Sequence, residues 1–436
     1  MNNLNDLRSV LRGRVLVPGD DGFDQARRPW NLAVEQPVSA VVDAADAADV
    51  AALVRYARNA GLTVSAQPSG HGATGDVAGV ILLRTAGLNE LRVDSLTRAA
   101  RVGAGVRWGQ VQAVAGAHGL TGLPGSSPVV SVVGYTLGGG LSWFGRKYGW
   151  AADSVRAFEV VDADGARARV TADSDAELFW ALRGGGGDFA LVTAIEFDLH
   201  PAPALYGGRM LWPADRAAEV LEAYRAITTT APDELTVWFD LLKFPGAEPL
   251  VAVDITYLGD AAEGRSLLRP LQHIDRLISD SRDTMPIAEL GSITAEPTTP
   301  GPGLSHGELL TGLDDIVAKT LLAAPIEPLL SVQVRHLAGA LARPSDSPHG
   351  PLTEPYALYL FGVPSAPHTA SALRTRQQEF VSALAPNLNG RKPYTYLSPG
   401  ETVATAFTPA TLTRLQDIKR RRDPRNVLRS NFPVLA

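Results

Sequence analysis

Glycine-rich loops recur three times between residues 68 and 187, and this recurrence constrains the chain more than any other feature. They lie at residues 68–75, 125–140 and 183–187. Glycine permits positive φ, and successive backbone N–H groups can form a nest that binds an anion such as a pyrophosphate. A single loop of this kind is a tight turn at least as often as it is a binding site. Three of them predict a site for an extended ligand. The sequence has neither a Walker A pattern nor a G-x-G-x-x-G after a first strand, which argues against P-loop and Rossmann folds.

Composition narrows the class of protein. The chain has 436 residues, enough for two domains, and its hydrophobic (45%) and charged (20%) fractions are ordinary for a globular enzyme. It contains no cysteine, which excludes disulfides, thiolate metal sites and iron–sulfur clusters. The net charge is −6, and the short basic run Lys419–Arg422 is typical of a solvated helix end, so we expect no nucleic-acid partner.

Apolar runs and ligand spacings predict neither a membrane segment nor a metal centre. The first residues lack an apolar run of signal-peptide length, and no stretch reaches about 18 consecutive apolar residues. We therefore expect a cytoplasmic protein with no membrane partner. No cluster of His, Asp and Glu has metal-ligand spacing, so no metal site is predicted.

The N-terminal half reads as α/β units followed by a hairpin. Residues 38–66 predict strand, helix and strand, with Asp46 capping the helix and Gly61 ending it. The loop after such a unit lies at the carboxyl edge of a sheet, where ligands bind in α/β folds. Residues 156–171 predict a hairpin that turns at Asp164-Gly165.

The pattern changes after residue 203. Predicted strands at 207–212, 235–242, 250–257, 331–337 and 356–363 alternate with helices at 215–228, 260–269, 312–323 and 367–384. This order predicts an antiparallel sheet with helices on one face, and hence an α+β fold class for the whole chain. A last helix is predicted at 409–422.

His71 lies between two glycines in the first loop, with few neighbouring side chains to compete with it. The residues alone leave two interpretations open. The imidazole can cap a turn, or it can serve as a nucleophile beside a cofactor.

Several motifs occur in a fixed order along the chain. They are Pro68-Ser69-Gly70-His71, Gly125-Ser126-Ser127-Pro128, Gly134-Tyr135-Thr136-Leu137-Gly138-Gly139-Gly140, Arg146–Asp153, Asp175–Phe189 and Asp423–Asn431. Together they resemble the FAD-linked oxidases of the vanillyl-alcohol-oxidase (PCMH-type) superfamily, specifically the berberine-bridge-enzyme-like branch. The resemblance is strong over residues 38–200 and 410–434 and faint over 205–390.

The resemblance implies a two-domain PCMH-type FAD-binding fold. Its FAD-binding domain would be residues 1–203, its substrate-binding domain residues 204–389, and residues 390–436 would return to the FAD domain. His71 matches the histidine that bonds to the flavin 8α-methyl group. The implied cofactor-binding residues are Pro68, Ser69, Gly70, His71, Gly72, Gly125, Ser126, Val129, Ser131, Gly134, Tyr135, Thr136, Gly138, Gly139, Val192, Asn426 and Asn431.

Departures from the family pattern limit what can be carried over. Some members hold the flavin by a second link through a cysteine before a proline, and this chain has Ser127 there, so FAD would be attached through His71 alone. Ser131 replaces a usual glycine, Gln67 a common arginine, and Asp188 a common asparagine.

A Tyr-x-Asn pair faces the substrate in many family members, and Tyr394-Thr395-Tyr396 is the corresponding stretch here. We predict catalytic roles for Tyr394 and Tyr396. A tyrosine can act as a base if its pKa is depressed from about 10. If the segment is a strand, alternation places both side chains on one face. An aromatic pair that only packs is the alternative.

The implied function is FAD-dependent oxidation of a small organic substrate, an alcohol, an amine or a secondary-metabolite intermediate. Hydride transfer to flavin N5 would be followed by reoxidation by O₂ or another acceptor. Three alternatives remain open: a dehydrogenase with a non-oxygen acceptor, an oxygenating or cyclising tailoring enzyme of natural-product biosynthesis, and a flavin-binding protein without turnover.

Overall fold

The computed structural model describes residues 4–435, so the ends of the predicted domains at 1–3 and 436 lie outside the described residues. Its first sheet has four strands in the order β1-β2-β4-β3, with β1 antiparallel and the others parallel. The elements up to this sheet's last strand are α1 (Leu7–Val10), β1 (Arg14–Leu16), α2 (Phe23–Ala26), β2 (Ala40–Asp43), α3 (Ala47–Ala60), β3 (Val64–Ala66) and β4 (Ile81–Arg84).

Helix α3 begins and ends at the residues that its sequence predicts. The Asp46 side chain accepts hydrogen bonds from the backbone N–H groups of Ala48 and Asp49, and Gly61 ends the helix at a positive φ of 67°. Its buried face packs on the parallel strands. The predicted β-α-β unit is confirmed, although β4 lies between β2 and β3.

The second sheet is antiparallel, with five strands in the order β5-β6-β10-β8-β9, and a short β7–β11 pair lies beside it. The predicted hairpin is confirmed as β8 and β9, turning at Gly165 with φ of 79°. These elements are β5 (Leu91–Asp94), β6 (Ala99–Gly103), α4 (Trp108–Gly116), β7 (Leu120–Thr121), α5 (Val132–Leu137), α6 (Gly145–Tyr148), β8 (Val155–Val161), β9 (Arg167–Val170), α7 (Ala176–Leu182), β10 (Leu191–Asp198) and β11 (His200–Pro201).

The third sheet is entirely antiparallel and confirms the second half of the predicted fold. Its order is β15-β12-β14-β13-β18-β19-β17, with β16 paired to β12. The elements are β12 (Tyr206–Pro213), α8 (Ala217–Thr230), β13 (Leu235–Leu242), β14 (Leu250–Tyr257), α9 (Ala261–Leu267), β15 (Ser279–Asp280), β16 (Asp283–Thr284), β17 (Leu304–Leu310), α10 (Asp315–Leu322), β18 (Ser331–His336), β19 (Tyr356–Gly362) and α11 (Pro367–Leu384). The sequence did not predict β17, which follows a Pro- and Gly-rich stretch.

Strand alternation gives this sheet one apolar and one polar face. On β13, Val237 and Phe239 pack into a core with the helices, whereas Trp238 and Asp240 point to the opposite face. The same alternation on β18 turns Gln333 and Arg335 toward the polar face. Buried polar groups therefore collect on the side of the sheet away from its helices.

The C-terminal segment returns to the first sheet. Helix α12 (Pro409–Arg422) is followed by a stretch in which the Val64 N–H donates to the Val427 carbonyl at 2.7 Å and the Arg429 N–H donates to the Val64 carbonyl at 3.0 Å. Leu428 joins the core under that sheet. Within residues 4–435 no helix has the length and apolar character needed to cross a membrane.

Buried contacts of Arg146 and Trp143 join the third sheet to the N-terminal part. Arg146 of α6 donates to the carbonyls of Leu235 and Leu337 and contacts the His336 ring at 2.9 Å. The rings of Trp143 and Trp238 stack with centroids 3.5 Å apart and planes within 10°. These contacts fix the polar face of the sheet opposite the glycine loops.

Candidate functional site

The first glycine loop connects β3 to β4 and holds the His71 ring from two sides. The Ser69 hydroxyl and the imidazole Nδ1 are 2.9 Å apart, and the Trp30 indole stacks on the ring at 4.5 Å with planes within 13°. The other ring nitrogen, Nε2, is buried and has no hydrogen-bond partner. Burial, with a smaller effect of Arg107, lowers the pKa of His71 to about 4, so the imidazole is neutral at neutral pH.

Backbone geometry explains why this loop is rich in glycine. Gly70 has a φ of 89°, and a Cβ there would lie 2.8 Å from Pro29. The Trp30 N–H donates to the Ser69 carbonyl at 3.0 Å, which seats the indole beside the imidazole. A side chain at position 70 would separate these two segments.

Asn431 of the C-terminal tail reaches the same loop. Its Nδ2 would lie 3.6 Å from a Cβ on Gly72, and its carbonyl accepts a hydrogen bond from the Thr74 hydroxyl at 3.3 Å. Its amide oxygen Oδ1 is buried without a partner. The structure therefore brings Asn431 to the His71 loop, with a free polar atom.

Lys419 and Asp188 hold this tail, and sequence reasoning missed both roles. Asp188 accepts hydrogen bonds from the N–H groups of Ser430 at 2.7 Å and Val434 at 2.6 Å. The Lys419 ammonium donates to the carbonyl of Asp188 at 2.9 Å and to the Asp423 carboxylate at 2.7 Å. The prediction of a solvated helix end is therefore wrong for Lys419, which is buried. Its spacing of four residues from Asp423 was the available signal.

The second loop leads into α5. Ser131 caps this helix, accepting from the Gly134 N–H at 3.4 Å, and a Cβ on Gly134 would lie 3.9 Å from Pro68 of the first loop. Thr136 turns inward and donates to the Val132 carbonyl. Ser126 and Val129 are partly buried ahead of the helix.

Tyr135 projects from α5 between the two halves of the molecule. Its ring meets Trp108 edge-on at 5.7 Å and would lie 3.5 Å from a Cβ on Gly125. It also packs against the cluster that contains Trp238. Its hydroxyl is buried without a partner, and burial raises its pKa.

His349 closes the space between the second and third glycine loops, and no pattern in the sequence pointed to it. Its Nε2 lies 3.0 Å from the Gly138 carbonyl, and its ring stacks on Trp150 at 4.7 Å. A Cβ added at Gly139 would lie 2.4 Å from this ring, and one added at Gly184 would lie 2.6 Å from it. The two glycines are therefore required by a histidine that is remote in sequence.

The predicted shared face of Tyr394 and Tyr396 is wrong. Residues Tyr394–Tyr396 form a turn of 3₁₀-helix, in which side chains two positions apart diverge. The Tyr394 hydroxyl donates to the Phe432 carbonyl at 3.4 Å, and its ring packs on Gly138 and Gly186. Burial raises the pKa of Tyr394 far above its usual value, which disagrees with a depressed pKa for a base.

Tyr396 points instead to the third sheet. Its ring covers Gly307 of β17 and lies 5.7 Å from the Tyr359 ring. The hydroxyl is buried without a partner. Burial raises its pKa, and Arg335 partly offsets this rise.

Val192 packs in the same buried cluster as Val132 and Val133 of the second loop, whereas Asn426 is not brought to the loops. Val192 pairs with Val160 within the second sheet and packs into its core. Asn426 is exposed at a positive-φ turn, where its carbonyl accepts from the Thr63 hydroxyl at 3.0 Å.

The polar face of the third sheet carries a buried network. Asp240 accepts hydrogen bonds from the Ser331 hydroxyl at 2.6 Å and the Gln333 amide at 3.3 Å. Arg209 binds Asp254 through two hydrogen bonds of 2.6 and 2.8 Å. Burial raises the pKa of Asp240 to about 7.

Comparison with known proteins supports an assignment. The family described as FAD binding domain matches residues 38–171. The chain is 28% identical over 97% of its length to the (R)-6-hydroxynicotine oxidase of Paenarthrobacter nicotinovorans, and covers 97% of that protein. It is 31% identical over 51% of its length to the FAD-dependent monooxygenase prx3 of Penicillium roqueforti, covering 44% of that protein.

Solved structures share the fold across nearly the whole chain. The 6-hydroxy-D-nicotine oxidase of Arthrobacter nicotinovorans superposes with a TM-score of 0.84 at 24% identity, covering 96% of this chain and 97% of that one. The BBE-like 1 protein of Physcomitrella patens gives 0.87 at 19% identity, with 99% of both chains covered.

The fold, the glycine loops and these matches define an FAD-dependent oxidoreductase, an enzyme whose cofactor is FAD. An FAD-binding domain at residues 38–171 and a fold shared with the BBE-like 1 protein support the predicted resemblance to the vanillyl-alcohol-oxidase (PCMH-type) superfamily and its berberine-bridge-enzyme-like branch. The predicted fold class and cofactor are confirmed. The residues fit the cofactor, because the unpartnered His71 Nε2 and Asn431 Oδ1 adjoin the glycine-rich segment.

Proposed function

We propose that this enzyme holds FAD covalently through His71 and oxidises a small organic donor bound against the polar face of the third sheet. One observation carries the attachment: the His71 Nε2 is buried and unpartnered while its ring is fixed by Ser69 and Trp30. If Nδ1–H donates to the Ser69 oxygen, Nε2 presents its lone pair. A neutral imidazole in that tautomer is a nucleophile.

Attachment has a defined stoichiometry. Nε2 of His71 would hold the cofactor by a bond to its 8α carbon; one proton would leave each partner, and two electrons would pass to O₂ to give hydrogen peroxide. Ser127 and the absence of cysteine leave His71 as the only tether in this proposal.

Cofactor binding and substrate binding are assigned to parts of the chain that carry different sheets. We propose that residues 1–203 and 390–436 form the FAD-binding domain and residues 204–389 the substrate-binding domain. The first two loops, with Asn431, would contact the cofactor through Pro68, Ser69, Gly70, Gly72, Gly125, Ser126, Val129, Ser131, Gly134, Tyr135, Thr136, Gly138 and Gly139. Backbone N–H groups in such loops suit a pyrophosphate.

FAD, when bound, accepts the two electrons that leave the donor's C–H bond. The chain positions that bond, and Tyr396, whose buried hydroxyl has no other partner, holds the donor's O–H or N–H by a hydrogen bond. We assign Tyr394 a positioning role because its hydroxyl is bound to the Phe432 carbonyl. We also propose that O₂ reoxidises the reduced flavin and that the protein is cytoplasmic.

Acid precipitation of the purified protein tests the attachment. The proposal expects a yellow pellet and a colourless supernatant, and a yellow supernatant from His71→Ala. The matched control is His118→Ala, in the turn after α4, whose flavin should stay in the pellet. Flavin that remains acid-stable in His71→Ala contradicts attachment at this residue.

A tailoring oxygenase is the second candidate, favoured by the relatives that are named FAD-dependent monooxygenases. Oxidation of a donor under ¹⁸O₂ separates the two functions. An oxidase releases labelled hydrogen peroxide and an unlabelled product, whereas an oxygenase incorporates the label into the product. Bound flavin that no donor in a broad screen reduces without oxygen would indicate a protein without turnover.

A further inference from the structure

Arg335 lies in a stack of aromatic rings on the polar face of the third sheet. It is directly opposite Trp238 across β13 and β18, with its guanidinium carbon 4.1 Å from the Trp238 ring centre. Trp143 covers the other face of that indole, since both groups cannot occupy one face at these distances. The guanidinium is also 4.9 Å from the Tyr359 ring and 5.9 Å from the Tyr396 ring. Aromatic faces hold the cation in place.

This cation has no carboxylate partner. Across residues 4–435 no Asp or Glu oxygen lies within 4.0 Å of its nitrogens, whereas Arg209 on the same face is paired with Asp254. Its Nε donates to the Gln333 amide oxygen at 2.5 Å. That amide in turn donates to Asp240 at 3.3 Å. Glu296 and Asp240 lie within electrostatic reach and help to keep the guanidinium charged, but neither contacts it, so its terminal N–H groups remain available to an anion.

Two further donors face the same region. The hydroxyls of Tyr135 and Tyr396 are buried without partners. The Tyr396 ring lies 5.9 Å from the guanidinium carbon of Arg335, and Tyr135 packs against the cluster that contains Trp238. These residues come from α5, from the C-terminal segment and from β18. A guanidinium with a neutral hydroxyl beside it can bind an oxyanion.

We propose that Arg335 determines substrate specificity by binding a carboxylate of a flat, conjugated substrate, with the Tyr135 hydroxyl beside it and the Tyr396 hydroxyl left for the donor's O–H or N–H. Planar bidentate recognition suits a carboxylate, and the surrounding rings suit a flat body. The proposal deepens the proposed function, since it concerns the donor of that same site.

Isothermal titration of the holoenzyme with benzoate and with benzamide, its neutral counterpart of the same shape, tests this site. We expect benzoate to bind at least about tenfold more tightly, the lower end for a hydrogen bond to a charged group. Arg335→Gln should abolish that preference and leave benzamide unchanged. The matched control is Arg343→Gln, an exposed arginine paired with Asp233, which should retain the preference.

Arg335→Lys keeps the inference testable if Arg335→Gln fails to fold. Lysine keeps the charge but loses the planar fork, so benzoate should bind more weakly than to the wild type and still more tightly than benzamide. Equal affinities for the two probes in the wild type, or an unchanged benzoate preference in either variant, would overturn the proposal. Acid extraction of the flavin and peroxide release test the proposed function separately.

Discussion

The indole of Trp30 lies parallel to the imidazole of His71, with ring centroids 4.5 Å apart and planes within 13°. Trp30 is 41 positions away in sequence (71 − 30), and backbone hydrogen bonds from residues 30 and 31 to residues 69 and 70 bring the rings together. The stack leaves one ring nitrogen buried and free of partners.

Replacing Trp30 by alanine should slow covalent flavin incorporation. Aromatic stacking contributes about 0.5–1.5 kcal/mol, so the rate should fall by about two- to tenfold. The measurement is the acid-stable flavin absorbance of apoprotein as a function of time after FAD is added. Trp30→Phe, which retains an aromatic ring, is the control. Its rate of flavin incorporation should lie between those of the wild type and Trp30→Ala. A Trp30→Ala rate equal to that of the wild type would show that the stack does not orient His71.

The two tyrosines of the C-terminal segment should behave differently. Tyr396→Phe removes an unpartnered hydroxyl facing the third sheet and should slow anaerobic flavin reduction by about 10²-fold or more. Tyr394→Phe removes a hydroxyl already bound to the Phe432 carbonyl and should change the rate by less than about threefold. Stopped-flow absorbance with any donor that reduces the flavin measures both. The opposite order of effects would restore Tyr394 as the reacting group.

Asp240 should make stability fall as pH rises. Burial raises its pKa to about 7 in the folded state, whereas an unfolded aspartate titrates near its ordinary value of 3.8. The folded state therefore binds the proton more tightly. Its stabilising effect is complete below about pH 4 and is lost as pH rises through about 7.

Comparison with Asp240→Asn measures this effect. The free energy of unfolding of the wild type, relative to the variant, should decrease between pH 4 and pH 8 by an amount on the order of a few kcal/mol. Urea denaturation across that range supplies the values. A difference independent of pH would mean that Asp240 is ionised throughout, stabilised by Arg209 and Arg335.

Lys419 should be important for stability although it begins a basic run. Lys419→Met leaves Asp423 buried without its cation and should lower the free energy of unfolding by about 3–5 kcal/mol. The adjacent Arg420 is exposed and paired with an exposed Asp417, so Arg420→Met should cost less than about 1 kcal/mol. Urea denaturation compares the two, and equal losses would contradict the role assigned to Lys419.

The sequence by itself determined the features that depend on neighbouring residues. The Asp46 cap and the Gly61 stop of α3 lie within or beside the helix that they define, and the strand alternation of β13 and β18 is local as well. The glycine loops and family motifs placed His71 in a cofactor segment, and the fold class and FAD followed from the same motifs. Such signals can be read because each is set by interactions over a few positions.

Only the tertiary structure decided which polar atoms remain free. The shared face of Tyr394 and Tyr396 was predicted from a strand, but packing of Tyr394 against Gly138 and Gly186 accommodates a 3₁₀ turn. Lys419 is buried because it satisfies carbonyls and a carboxylate of the tail. The pairing of Trp143 with Trp238 joins the turn before α6 to the third sheet. These contacts link residues remote in the chain, and no local periodicity records them, because their energy comes from burial and hydrogen bonding in the assembled core.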